Sequence, residues 1–124
     1  MPKSETRIGR IAEQIQRDLA ELIRTELKDP RVGLITLTGV ELSSDYHHAK
    51  VFFTTLGGAS AVSSALEGLV HAAGFLRSEL ARSLRLRVVP ELHFVYDESI
   101  ERGDRLNRLI NEAIAKSAGS GDES

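Results

Sequence analysis

Cysteine and tryptophan are both absent, methionine occurs once, and aromatic residues make up only 5% of the chain. Without a thiol there is no disulfide framework and no thiolate metal site, a composition that suits a reducing compartment, so the cytoplasm is the expected location. No uninterrupted apolar run approaches the length of a membrane span, and the N-terminal Met1-Pro2-Lys3-Ser4 leads into an amphipathic segment, not into the apolar core of a signal peptide. No membrane partner is expected. An excess of basic charge is also missing, since 16 Lys and Arg stand against 18 Asp and Glu for a net charge of -2. That balance excludes a domain that draws phosphate over its whole surface, and any nucleic-acid face must be local.

What is present fits one small domain. The 124 residues, 41% hydrophobic and 27% charged, bury a single core and leave no room for a second. From Thr6 to Lys28 the residues Ile8, Ile11, Ile15, Leu19, Leu22, Ile23 and Leu27 recur at helical spacing, and Asp29-Pro30 ends the helix. Leu34 to Leu42 and Ala49 to Leu56 are β-branched and aromatic-rich around the turn-forming Ser43 to His48, which predicts an antiparallel hairpin with a bulge near Gly39. A second helical pattern runs from Ser60 to Leu86. As one straight helix it would measure about 40 Å, longer than a domain of this size can cover, so a kink at Gly74 is expected to divide it in two. Val88 to Tyr96 reads as a third strand that starts late or lies at an edge because of Pro90. Asp97 or Ser99 caps a last helix carrying Ile100, Leu106, Leu109, Ile110, Ala113 and Ile114. The predicted order is α-β-β-α-α-β-α, an α+β domain over residues 1–116 with helices packed on a three-stranded sheet, and residues 117–124 form a disordered polar tail.

Arg77, Arg82, Arg85 and Arg87 against Glu79 leave a local excess of three positive charges in the second helical segment. Arg77, Arg82 and Arg85 fall on one flank beside the Leu76/Leu80/Leu84 stripe, where they could meet phosphates together. From residue types alone they fit better a solvated helix face whose arginines favour the dipole at a helix C-terminus. Arg10, Arg17 and Arg24 make a second basic line, with Glu13 and Glu21 spaced for intrahelical pairing. Gly57-Gly58-Ala59-Ser60 has no Walker or dinucleotide spacing and reads as a strand-to-helix turn. His47 and His48 are adjacent and point to opposite faces, while His71 and His93 are isolated in sequence, so neither a metal site nor acid–base catalysis is expected. The acidic group Asp97, Glu98, Glu101 and Asp104 surrounds a helix start, where negative charge is favoured. No enzyme, cofactor or small-molecule substrate is indicated.

The chain carries Lys28-Asp29-Pro30-Arg31, Val40-Glu41-Leu42-Ser43 with Asp45, Ala49-Lys50-Val51-Phe52, Leu76-Arg77 with Leu80, Leu84-Arg85, Pro90-Glu91-Leu92-His93-Phe94, and Asp97 with Ser99 and Gly103, in that order. In these segments and their spacing it resembles the ribosome-binding factor A family of bacterial small-subunit maturation factors. Ser44-Asp45-Tyr46 departs from the family's Pro-Asp-Leu. The resemblance implies a type II KH-like fold in which the strand-clamping Gly-x-x-Gly loop is replaced by an Ala-x-Gly kink, here Ala72-Ala73-Gly74. It further implies a monomer that binds the free 30S ribosomal subunit and its 16S rRNA, assists 5′-end processing during ribosome biogenesis, and serves cold adaptation. Arg77, Arg82, Arg85 and Arg87 are the first expected phosphate contacts, with Arg10 and Arg31 after them. The alternative is a KH-like protein-interaction module that does not touch RNA.

Overall fold

In the computed structural model residues 6–84 and 87–123 are described, with the side chains of residues 6–84, 87–99, 102–103 and 105–116. The first helix, α1 (Arg7–Thr25), starts where the Thr6 hydroxyl accepts from the Gly9 amide at 2.8 Å, satisfying one of the free donors of the first turn. Its stripe buries Ile15 and Leu19, as the periodicity predicts, and Ala12 beside them.

β1 (Ile35–Leu42) and β2 (His48–Thr55) pair antiparallel, and the register shifts between Leu37 and Gly39. The extra residue is Thr38, and it reverses which residues face inward: Ile35 and Leu37 before it, Val40 and Leu42 after it, all pack on the core. Two side chains secure the bulge. Gln16 of α1 donates to the Leu37 carbonyl at 3.2 Å, and the Thr38 hydroxyl donates to Asp97 at 2.6 Å. The hairpin turn is tied by Asp45, whose carboxylate accepts from the Ser43 hydroxyl and from the His47 amide, with Tyr46 at φ 66°. Those two donors, the Ser43 hydroxyl first, hold the Asp45 carboxyl below its ordinary range.

β3 (Glu91–Tyr96) lies on the other side of β2 and runs parallel to it, giving the order β1-β2-β3. Parallel neighbours cannot be joined by a tight turn, so the chain crosses over through α2 (Gly58–Leu84). Pro90 is buried just before the strand, which does start late and at a sheet edge. The inward side chains Val51, Phe53, Leu92 and Phe94 meet Leu69, Leu76 and Leu80 of α2 together with Ile15 and Leu19 of α1.

α2 corrects the expectation of two central helices, because it is one helix of 27 residues that continues through Gly74. Its buried positions Ala65, Leu69, Ala72, Leu76 and Leu80 keep an unbroken helical spacing across that glycine. Ala72 and Ala73 favour helix, and Gly74 stays out of the left-handed region. The size argument fails for a simple reason: only the part from Ala65 to Leu80, about 24 Å at 1.5 Å per residue, has to lie over the sheet, and the first turn projects exposed beyond it. By length and composition alone α2 also meets the description of a membrane span, contrary to the reading of the sequence, yet its apolar stripe is spent on the sheet and α1.

The last helix, α3 (Ser99–Glu123), departs from expectation in its packing. None of its described side chains belongs to the core, and Leu106, Leu109, Ile110 and Ile114 are 46–62% exposed. Helices α1 and α2 therefore supply the layer that covers the sheet. The backbone of α3 remains helical through 117–123, the segment whose composition reads as an unstructured tail, since extending an existing helix gains one hydrogen bond per residue added.

A clip fixes α2 against the segment that links α1 to β1. Arg31 donates from Nε and Nη2 to both oxygens of Asp29, at 2.6 Å for the shortest contact, and from Nη1 to Glu67 of α2 at 3.3 Å. Beside it, Gly68 of α2 leaves no room for a side chain, because a Cβ there would sit 2.8 Å from Val32 Cγ2 and 3.3 Å from Arg31 Cβ. Gly74, by contrast, has nothing within 4 Å of that position. We expect Gly68→Ala to lower stability by about 1–2 kcal/mol, overpacking outweighing better helix propensity, and Gly74→Ala to raise it by about 0.5–1 kcal/mol. Thermal or urea unfolding measures both; equal effects of the two substitutions would contradict the packing described. The guanidinium of Arg31, by hydrogen bonding above all, holds the Asp29 carboxyl down from 3.8 to about 2. A folded pKa below the unfolded one means that the clip contributes fully above pH 4 or so and is lost as the pH falls through about 2. Asp29→Asn should thus lower the melting temperature at neutral pH, with the gap to the unmodified protein closing as the pH approaches 2.

Candidate nucleic-acid interface

Because Leu76 and Leu80 are drawn wholly into the core, the intervening side of α2 turns Arg77 outward at the level of the α2–β3 connection. Its Nε and Nη2 both donate to the Val89 carbonyl, at 3.2 and 2.9 Å. Two of the five guanidinium N–H groups are thereby used, and the rest remain available to an anion on this exposed residue. Arg87 is exposed on the same connection, and with Val88, Arg7, Ile11 and Tyr46 it lines a cleft of about 190 Å³ between the start of α1 and the hairpin turn. Arg87 and Arg7 thus line one cleft, and Arg77 is tied to the same connection at Val89, two residues beyond Arg87. Arg7 was not singled out by the sequence, since its basic neighbour arrives from the far side of the fold.

Arg10 is exposed and three residues on from Arg7, which places both on one side of α1, and among the described residues neither Arg10 nor Arg87 makes an ion pair. The basic line stops there. Arg17 donates to Gln14 at 2.9 Å and Arg24 to Glu21 at 2.6 Å, so each is tied to a neighbour on α1. On α2, Arg82 is 81% exposed and reaches Glu79 only at 3.6 Å, an ion pair of the kind that contributes at most about 1 kcal/mol and is readily exchanged for phosphate. Arg85 lies outside the described residues. Arg31 stands apart from the cleft and is committed to Asp29 and Glu67, so the structure gives it a fastening role.

Ala72, Ala73 and Gly74 fall in the middle of α2, Ala72 buried, Ala73 half-buried and Gly74 exposed. Gly74 presents bare backbone to solvent beside Phe75, itself 46% exposed. No glycine loop interrupts the helix here, so the backbone clamp of a Gly-x-x-Gly loop has no counterpart in α2.

Comparison with known proteins agrees with this architecture. The chain is 64% identical over 115 residues to ribosome-binding factor A of Nitrosospira multiformis, covering 93% of this chain and 91% of that protein. It is 61% identical over 116 residues to ribosome-binding factor A of Nitrosomonas eutropha, covering 94% and 99%. The crystal structure of ribosome-binding factor A from Thermus thermophilus superposes with a TM-score of 0.66 at 33% identity, over 73% of this chain and 97% of that one. A homology model of the Thermus thermophilus ribosome binding factor A, fitted into the cryo-EM map of a 30S–RbfA complex, gives a TM-score of 0.59 at 34% identity, over 70% of this chain and 91% of that one. The sequence profile of one family matches residues 7–110, most of the folded chain. On these grounds, together with the α+β topology of a mixed three-stranded sheet, the chain belongs to the ribosome-binding factor A family.

Proposed function

We propose that this protein docks on the free 30S subunit and steadies its immature 16S rRNA in a conformation that permits 5′-end processing, making and breaking no covalent bond. It acts as a cytoplasmic monomer, and growth in the cold, where misfolded RNA escapes slowly, is where its loss matters most. The observation that carries this reading is the cleft shared by Arg87 and Arg7, with Arg77 tied to the same connection at Val89, on a chain whose net charge is -2. A local basic patch attracts phosphate in one orientation only, which suits docking on folded RNA better than coating it. The unbroken α2 supports the same choice, because without a glycine loop the grip on a free single strand gives way to arginine–phosphate contacts.

The competing reading, a protein-interaction module that leaves RNA untouched, draws on the exposed apolar residues of α3. Protein-free 16S rRNA separates the two, since that reading predicts no association even at low salt. For the RNA-binding reading, the double substitution Arg82→Glu with Arg87→Glu leaves the core and the Arg77–Val89 contact intact. Binding to purified 30S subunits should weaken by about tenfold or more, and the slope of log affinity against log salt should fall by about 2, one contact for each arginine. A folded double variant with unchanged affinity and slope would place the interface elsewhere.

A further inference from the structure

The parallel pairing of β2 with β3 sets His48 opposite Glu91 and Lys50 opposite His93. Strand alternation then sends His48, Glu91 and His93 to one face, the open one, because their neighbours Ala49, Leu92 and Phe94 are drawn into the core. His93, isolated in sequence, has His48 as a partner in space. His48 Nδ1 lies 3.1 Å from His93 Nε2 and 3.5 Å from Glu91 Oε2, and His93 Nε2 lies 4.0 Å from the same oxygen.

The geometry points to a three-ligand site for a divalent transition metal of the zinc class, formed by His48 Nδ1, His93 Nε2 and a Glu91 carboxylate oxygen. Around a tetrahedral zinc ion with bonds near 2.0–2.1 Å, neighbouring donors stand about 3.3 Å apart, and the three observed separations bracket that edge. The donor chemistry also selects the ion. Two imidazoles and one carboxylate suit zinc, copper or nickel, whereas magnesium and calcium prefer sites made of oxygen alone.

The backbone beneath the cluster is held before any ion arrives. Ala49 and Val51 are fully buried on either side of Lys50, and the Glu91 amide donates to the His47 carbonyl at 2.8 Å, fixing Glu91 beside His48. His48 Nδ1 and His93 Nε2 stand 3.1 Å apart, so both lone pairs can be turned on one ion when neither nitrogen carries a proton. Lys50 is the one cationic side chain beside the site on β2, and the register sets Glu41 of β1 opposite it. Three protein ligands leave the fourth position to water or to an anionic oxygen such as that of a phosphate.

The test titrates Zn²⁺ into the metal-free, untagged full-length chain, following heat by calorimetry and the imidazole resonances by NMR. We expect one ion per chain at micromolar concentration, a rise in melting temperature with zinc, and shifts at His48 and His93 but not at His71. His48→Ala and His93→Ala should each weaken binding by about tenfold or more, and Glu91→Gln should weaken it without altering the metal-free fold. His71→Ala, outside the cluster, should bind as the unmodified chain does. The assignment is overturned if the unmodified chain shows no saturable zinc binding, or if it and the His48→Ala/His93→Ala double variant bind zinc alike.

Discussion

The fold depends on a single apolar stripe along α2 pressed against the inner face of the sheet. Leu69, Leu76 and Leu80 are completely buried against Val51 and Phe53 of β2 and the β3 side chains Leu92 and Phe94. Removing these groups from water is worth roughly 2 kcal/mol for each large side chain, and the same contact decides the topology. β3 can join β2 in parallel only because α2 carries the chain back across the sheet. The Arg31–Asp29 clip and the bare Gly68 then set how closely α2 settles onto the loop before β1.

That arrangement gives the surface its division of labour. The inward phase of α2 fixes which of its arginines reach solvent, and the end of the crossover brings Arg87 to the start of α1, where Arg7 waits. Arg17, Arg24 and Arg31 are tied to side chains of their own neighbourhood, while Arg77 is anchored on the Val89 carbonyl. A weakly acidic protein can therefore still own a cationic patch without any rise in its net charge.

Features that depend on local pattern were legible in the residues themselves. The α1 stripe, the hairpin, the bulge at Gly39 and the late start of β3 after Pro90 follow from periodicity and turn chemistry over a few residues. Features that need distant residues to meet were not. The single course of α2 was misjudged because an average size for the domain cannot say which part of a helix needs covering. Arg7 and the His48–His93 pair escaped because each acquires its neighbour across the fold. Arg31, expected among the phosphate contacts, has Asp29 two positions back and Glu67 across the fold as its partners in the folded chain. For α3, amphipathic spacing predicted the helix correctly and its burial incorrectly, since a pattern shows that a face could be covered and not that anything covers it.

The parallel register between β2 and β3 has a consequence for the outer surface. Sliding β3 by one residue would expel Leu92 and Phe94 from the interior and turn His93 inward. The penalty for that slip falls on the hidden side of the sheet, so the placement of polar groups on the visible side is policed from behind. Substitutions on the open face can change its chemistry freely while the hydrophobic underside keeps every position in step.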